Sequence, residues 1–137
     1  MKKVLLSTGK EINCISKIEA QMLETHISGY LDENVILNEG DTVFDVGANI
    51  GILGVSLSEK FKSLSIYSFE PIKEIYQVLE LNAKLTKNKK FKVLPFGISN
   101  KNETTNFKYY PNSPALSNSN PEIWTSNKDL VVALKGS

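Results

Sequence analysis

Apolar residues along the chain keep changing their spacing, and each change marks an element. Near the N-terminus, "KKVLLSTGKEINCIS" holds two short extended runs around Thr8-Gly9-Lys10, and a glycine in a short polar turn predicts a β-hairpin. "KIEAQMLETHISGYL" (17–31) supplies good helix formers. Ile18, Met22, Leu23, Ile27 and Tyr30 recur there at three- and four-residue spacing, which predicts a helix with one apolar face. Gly29 is expected to weaken or end that helix. After the turn "ILNEGD" the segment "TVFDVG" (42–47) reads as a short apolar strand.

From there strands and helices alternate. "NIGILGVSLSEKF" (49–61) puts Leu53, Leu57 and Phe61 on one helical stripe, and "LSIYSFE" (64–70) is a strand. "PIKEIYQVLELNAKL" (71–85) is a second helix of this series, with Pro71 in its first turn and Ile72, Ile75, Tyr76, Leu79 and Ala83 on one side. "KFKVLPFGIS" (90–99) is a third strand, and "ETTNFKYY" (103–110) suggests a further one. Strand, helix, strand, helix, strand is the pattern of βαβ units, so an α/β fold with parallel strands is expected. Right-handed crossovers put both helices on one face of that sheet. "PNSPALSNSNPEIWTSN" is rich in Pro, Ser and Asn and reads as loop. The organisation expected is a hairpin and helix over 1–40, a parallel-stranded α/β core over 41–110 and a loop-rich tail over 111–137.

Composition narrows the setting. With 137 residues and 41% hydrophobic content the chain is an ordinary globular domain. A formal net charge of +1 gives no strong pull toward nucleic acid or an anionic surface. The basic run "KLTKNKK" (84–90) reads as a solvated helix end. No apolar run approaches the roughly 18 residues of a membrane span. Cys14 is the single cysteine, which excludes an internal disulfide and suits a cytoplasmic setting.

The candidate chemistry sits where the first parallel strand meets its helix. In doubly wound sheets ligands bind beyond the carboxyl ends of the strands, at this turn. Asp45, Gly47 and Gly51 are spaced D-x-G-x-x-x-G, not the G-x-G-x-x-G of dinucleotide sites, and no G-K-[ST] of a P-loop is present. Gly47 permits a tight turn and close approach to a ligand, and Gly51 lets the helix pack near the strand. Glu70, at the next strand's tip, stands where a carboxylate accepts hydrogen bonds from ribose hydroxyls. Asp45 lies before the glycines, a place suited to a cationic sulfonium or ammonium and unsuited to a pyrophosphate. S-adenosylmethionine is therefore favoured over NAD.

"DVGANIG" (45–51), "FEP" (69–71), a helix ending in "LNAKL" and "GISN" (97–100) together resemble the FkbM-type, S-adenosylmethionine-dependent methyltransferases. The resemblance runs from about Gly29 to Ser117 and implies a Rossmann-like class I methyltransferase sheet. It implies methyl transfer to a hydroxyl of a natural product, sugar or lipid, with a small-molecule acceptor. By it, Asp45, Gly47, Ala48, Asn49 and Gly51 line the methionine end, Glu70 holds the ribose, Pro71 lies beside the adenine, and Gly97 and Ile98 sit near the purine edge. "GYLDEN" makes Tyr30 and Glu33 weaker candidates. The family's later acidic strand finds no match after Trp124, so the chain is expected to be the cofactor-binding front part, with an incomplete sheet. The alternative is a non-catalytic piece that needs a partner or the missing half, and an open sheet edge offers a route to self-association. No catalytic residue and no metal site is assigned. His26 and Cys14 read as packed or surface residues, and Tyr109, Tyr110 and Trp124 as loop or hairpin anchors rather than pocket walls.

Overall fold

The computed structural model describes residues 1–33 and 35–111, with the side chains of Tyr30, Asp32 and Glu33 also outside the described set. The chain divides into two compact units, Met1–Ile98 and Ser99–Ser137. Every candidate site residue named above with a described side chain belongs to the first, apart from Tyr109 and Tyr110.

That unit opens with the hairpin: β1 (Lys2–Leu5) pairs antiparallel with β2 (Glu11–Cys14) in the register Leu5↔Glu11 to Lys2↔Cys14. Gly9, at φ 83, closes the turn, its amide donating to Leu6 O at 2.9 Å. One hairpin face is buried, through Val4, Leu6, Ile12 and Cys14. α1 (Lys17–Glu33) follows and runs straight through Gly29, contrary to the expectation that it stops there. A single exposed glycine costs a helix only about 1 kcal/mol, which its other turns outweigh. The apolar face also differs. Ile18 and Met22 are 73% and 68% exposed, while Ala20 is buried and Leu23 and Ile27 are half-buried. The helix turns inward the side that meets β1 and the next helix, and spacing alone does not rank two overlapping apolar stripes.

The parallel sheet is β3 (Thr42–Val46), β4 (Ser65–Phe69) and β5 (Phe91–Leu94), in the spatial order β3-β4-β5. α2 (Ile52–Lys60) and α3 (Lys73–Lys84) make the crossovers and pack on each other. The architecture is thus α/β with a partial Rossmann-like sheet, as the alternation predicts. α2 starts later than its sequence pattern because Gly51 adopts φ 86, a left-handed position that no helix includes. Pro71 lies just outside α3, whose N-cap is Ile72. Segment 103–110 forms no strand element. Its Glu, Thr and Asn residues are exposed and offer no alternating apolar face to bury.

Register fixes which side chains face the helices. Val43, Ile66 and Phe91 align across the strands, and so do Asp45, Ser68 and Val93. Leu57, Leu64 and Ile66 form the core beneath α2, with Val43, Leu53, Phe61 and Phe91 around them. The opposite sheet face carries Phe44, Tyr67 and Phe69. Phe44 stacks on Tyr67 at 5.5 Å between ring centroids, yet remains 67% exposed.

Gly54 decides how closely α2 approaches β5. A Cβ there would collide with the Phe91 ring. Gly54→Ala is expected to cost the fold about 1 kcal/mol, because overpacking of about 1–3 kcal/mol is offset in part by the roughly 1 kcal/mol that alanine gains in helix propensity. Urea denaturation with an unchanged m value checks it.

Candidate functional site

The loop from Gly47 to Gly51 is a chain of short-range contacts. Gly47 and Asn49 sit at φ 75 and φ 51, and Asn49 tolerates that conformation better than most side chains do. The amides of Gly47 and Ala48 both donate to Phe69 O, at 3.0 and 2.9 Å, which staples the turn to the tip of β4. Ile50 N donates to Asn49 Oδ1 at 2.8 Å, and Gly51 N to Ala48 O at 2.9 Å. Asn49 N donates to Glu70 Oε2 at 3.1 Å, while Ile72 N donates to Glu70 Oε1 at 2.9 Å. Glu70 therefore bridges the glycine loop and the entry to α3, and "DVGANIG" and "FEP" form one hydrogen-bonded unit.

These contacts change how the loop meets a ligand. Every backbone amide from Gly47 to Gly51 is engaged within the protein, so the loop does not offer them as an anion cradle of the P-loop kind. What the site presents is carboxylate and space. A Cβ added at Gly47 would meet nothing within 4 Å, whereas at Gly51 it would lie 2.5 Å from Leu79 Cδ1. Gly47 leaves room beside the turn; Gly51 lets α3 approach it.

Asp45, Gly47, Ala48 and Asn49 line a cavity of about 240 Å³ together with Leu23, His26 and Ile27 of α1. Gly51, Glu70, Pro71, Gly97 and Ile98 stand outside that lining. Glu70 is nevertheless 5% exposed and reaches the cavity wall through Asn49. Pro71 and Gly97 are neighbours, since a Cβ at Gly97 would fall 3.6 Å from Pro71 Cγ, and Ile98 is exposed. Sequence reasoning does not find the α1 residues of the site. Their only signal is the Leu23–Ile27 spacing, which equally marks a core face, and a lone His26 reads as packed or surface. Tyr30 and Glu33 fall in α1, and their side chains lie outside the described residues, as does Trp124. Tyr109 and Tyr110 belong to the second unit. Cys14 is buried in the hairpin, and burial pushes its thiol pKa up, which keeps it unreactive. Among the described residues, no three His, Cys, Asp or Glu side chains gather as metal ligands, and no helix is long and apolar enough to cross a membrane.

Fold and site together define a partial Rossmann-like domain whose glycine turn lines a cavity and is held from behind by the acidic strand tip. Comparison with known proteins gives its relatives. No family model matches the chain. It is 34% identical over 110 residues to the methyltransferase sdnD of Sordaria araneosa, covering 79% of this chain and 42% of that protein. It is 28% identical over 132 residues to the 31-O-demethyl-FK506 methyltransferase FkbM of Streptomyces tacrolimicus, covering 94% of this chain and 50% of that one. The chain is thus related to FkbM-type methyltransferases, and it spans about half the length of these relatives or somewhat less.

Burial raises the pKa of Asp45, against a hydrogen bond from Ser68 Oγ at 3.2 Å that lowers it. Burial likewise raises that of Glu70, against the two backbone amides, with the Asp45 charge adding a little. An acid with a raised folded pKa binds its proton more tightly when folded. The stability it lends is then full below its unfolded pKa, near 4, and declines as pH rises through the folded value. Asp45→Asn removes that decline while leaving an oxygen for Ser68 to donate to. The variant is expected to melt a few degrees higher than the wild type at pH 7, with the difference vanishing near pH 4. Calorimetric melts across that range check it.

Proposed function

We infer that this chain carries the methyl-donor half of an S-adenosylmethionine-dependent methyltransferase that acts on a hydroxyl oxygen of a natural product, sugar or lipid. The observation that carries the reading is the Glu70 bridge to Asn49 at the edge of a cavity bearing the Asp45 carboxylate. The residues present fit this cofactor. The half-buried Asp45 carboxylate suits a sulfonium, and loop amides turned inward disfavour a pyrophosphate. Glu70 uses two of its roughly four acceptor positions on backbone amides, which leaves the others for ribose hydroxyls. Asp45, Gly47, Ala48, Asn49 and Gly51 would hold the methionine end, and Pro71, Gly97 and Ile98 the adenine side. Bound there, the cofactor supplies an electrophilic methyl group. The protein's part is to fix its orientation, to keep a negative carboxylate near the sulfonium, and to close the inner side against water with Leu23, Ile27 and Ile50. One relative is named as a methyltransferase of a 31-O-demethyl compound, which supports oxygen as the acceptor.

A charge contrast tests this reading. S-adenosylmethionine is cationic at sulfur and S-adenosylhomocysteine is not. Asp45→Asn is expected to weaken the first by about tenfold and the second by about twofold or less. Gly47→Ala is expected to abolish titration heat for both, because its Cβ enters the open space beside the turn, while the left-handed φ of 75 costs the fold about 1–2 kcal/mol. A folded wild type that binds neither compound sinks the reading.

A second reading rests on the sheet. Among the described residues β3 pairs with β4 alone, and Phe44 on the open face is largely exposed. Such an edge and face favour association, so the chain works with further polypeptide that completes the site. Light scattering after size-exclusion chromatography separates the two. A monomer that binds the cofactor supports independent binding, and an obligate dimer supports completion by a partner.

A further inference from the structure

Asn82, the asparagine of "LNAKL", is a buried polar group to which neither the sequence reading nor the proposed function gives a role; it lies in the last turn of α3 and is 0% exposed. Its side chain makes four hydrogen bonds. Nδ2 donates to Asn13 O at 2.9 Å and to Ile50 O at 2.8 Å, while Oδ1 accepts from Asn13 N at 2.8 Å and from Asn13 Nδ2 at 3.1 Å. Both donors and both acceptor positions of the amide are thereby used. The orientation is fixed by the partners, because a flipped amide would point its oxygen at two carbonyls and its NH₂ at two donors.

Three separate parts of the chain meet at this one group: the hairpin through Asn13, α3 through Asn82 itself, and the glycine loop through Ile50. The loop contact falls at a sensitive point. Ile50 lies between Asn49 and Gly51, which both have positive φ, so the direction of its carbonyl sets the path of the turn. The neighbouring amides are the ones that bind Glu70 and Ala48 O. A buried carbonyl left without its donor would be costly, so the loop would rotate toward another partner and carry the cavity wall with it.

We propose that Asn82 is a positioning residue of the methyl-donor site, holding the Ile50 carbonyl and so the shape of the glycine loop, and coupling that loop to the N-terminal hairpin. It does not touch the ligand. The proposal rests on the donor-binding reading for its effect on affinity, but its effect on the loop stands apart from that reading.

Asn88 supplies a control of the same chemistry away from the loop. Its Nδ2 donates to Leu64 O at 3.0 Å and its Oδ1 accepts from Lys90 N at 2.9 Å. Asn82→Asp replaces the NH₂ with oxygen opposite Ile50 O, and Asn88→Asp makes the equivalent change opposite Leu64 O. Amide hydrogen exchange of the ligand-free proteins and calorimetric titration with S-adenosylhomocysteine are measured for both. Asn82→Asp is expected to speed exchange at Asn49 and Gly51 by at least tenfold and to weaken the ligand by about tenfold or more. Asn88→Asp is expected to leave both within twofold after correction for its own loss of stability. Asn13→Asp, a gentler change at a half-buried site, sets an oxygen against Asn82 Oδ1. It is expected to weaken the ligand about threefold even though residue 13 does not line the cavity, and it serves if Asn82→Asp does not fold. Equal effects of the Asn82 and Asn88 variants, or an Asn13 variant with unchanged loop exchange, would overturn the proposal. A wild type that fails to bind the ligand overturns the donor-site reading alone, since the exchange comparison still decides the role of Asn82.

Discussion

One carboxylate, that of Glu70, holds together the parts from which the site is made. Its two oxygens accept from Asn49 N in the glycine loop and from Ile72 N at the start of α3. The first contact pins a residue in a conformation that non-glycine residues seldom adopt, and the second holds the amide of Ile72, the residue that precedes the first turn of α3. A buried charge is expensive, and here burial does raise the group's pKa. The fold tolerates this because backbone amides face both oxygens. Loop, strand tip and helix entry are consequently joined through one side chain.

The rest of the first unit is arranged around that joint. Phe69 O takes two loop amides, Leu79 backs against Gly51, and Asn82 holds Ile50 O from the other side. Among the described residues no buried side-chain nitrogen or oxygen lacks a partner, so the polar interior around the loop is closed. Interior amides and carbonyls in the loop are spent on structure. What remains open at the cavity is the half-buried Asp45 carboxylate and the space beside Gly47. The opposite face of the sheet has a different character. Phe44 stacks there on Tyr67 and Phe69, and the Phe96 ring meets Phe69 at a tilt, with the Lys92 ammonium 5.6 Å from the Tyr67 ring centroid. That face is apolar and aromatic, and the described residues leave Phe44 and Val46 on it largely open.

Much of this was legible in local pattern. The alternation of apolar runs yields β3, α2, β4, α3 and β5 in order, because a strand needs period two and a helix period 3.6. "DVGANIG" and "FEP" identify the two ends of the site, since the backbone there demands glycine at one and a carboxylate at the other. Local pattern fails where two readings share one spacing. On α1, Ile18 and Met22 belong to an apolar stripe as regular as that of Leu23 and Ile27, and only packing against β1 and α2 selects the second. Gly29 carries a stop signal that the remaining turns of the helix override. Segment 103–110 has the β-branched and aromatic residues of a strand, but its exposed Glu, Thr and Asn side chains give it no alternating apolar face.

The sequence by itself determined the element order, the parallel α/β class and the pairing of a glycine turn with an acidic strand tip, because these follow from periodicity and backbone sterics over a few residues. Tertiary structure alone decided that the loop amides turn inward, that α1 supplies Leu23, His26 and Ile27 to the cavity, and that Asn82 ties hairpin to loop. Those facts depend on contacts between residues far apart in the chain, Asn13 with Asn82 and Asn49 with Glu70, whose distances no local spacing encodes.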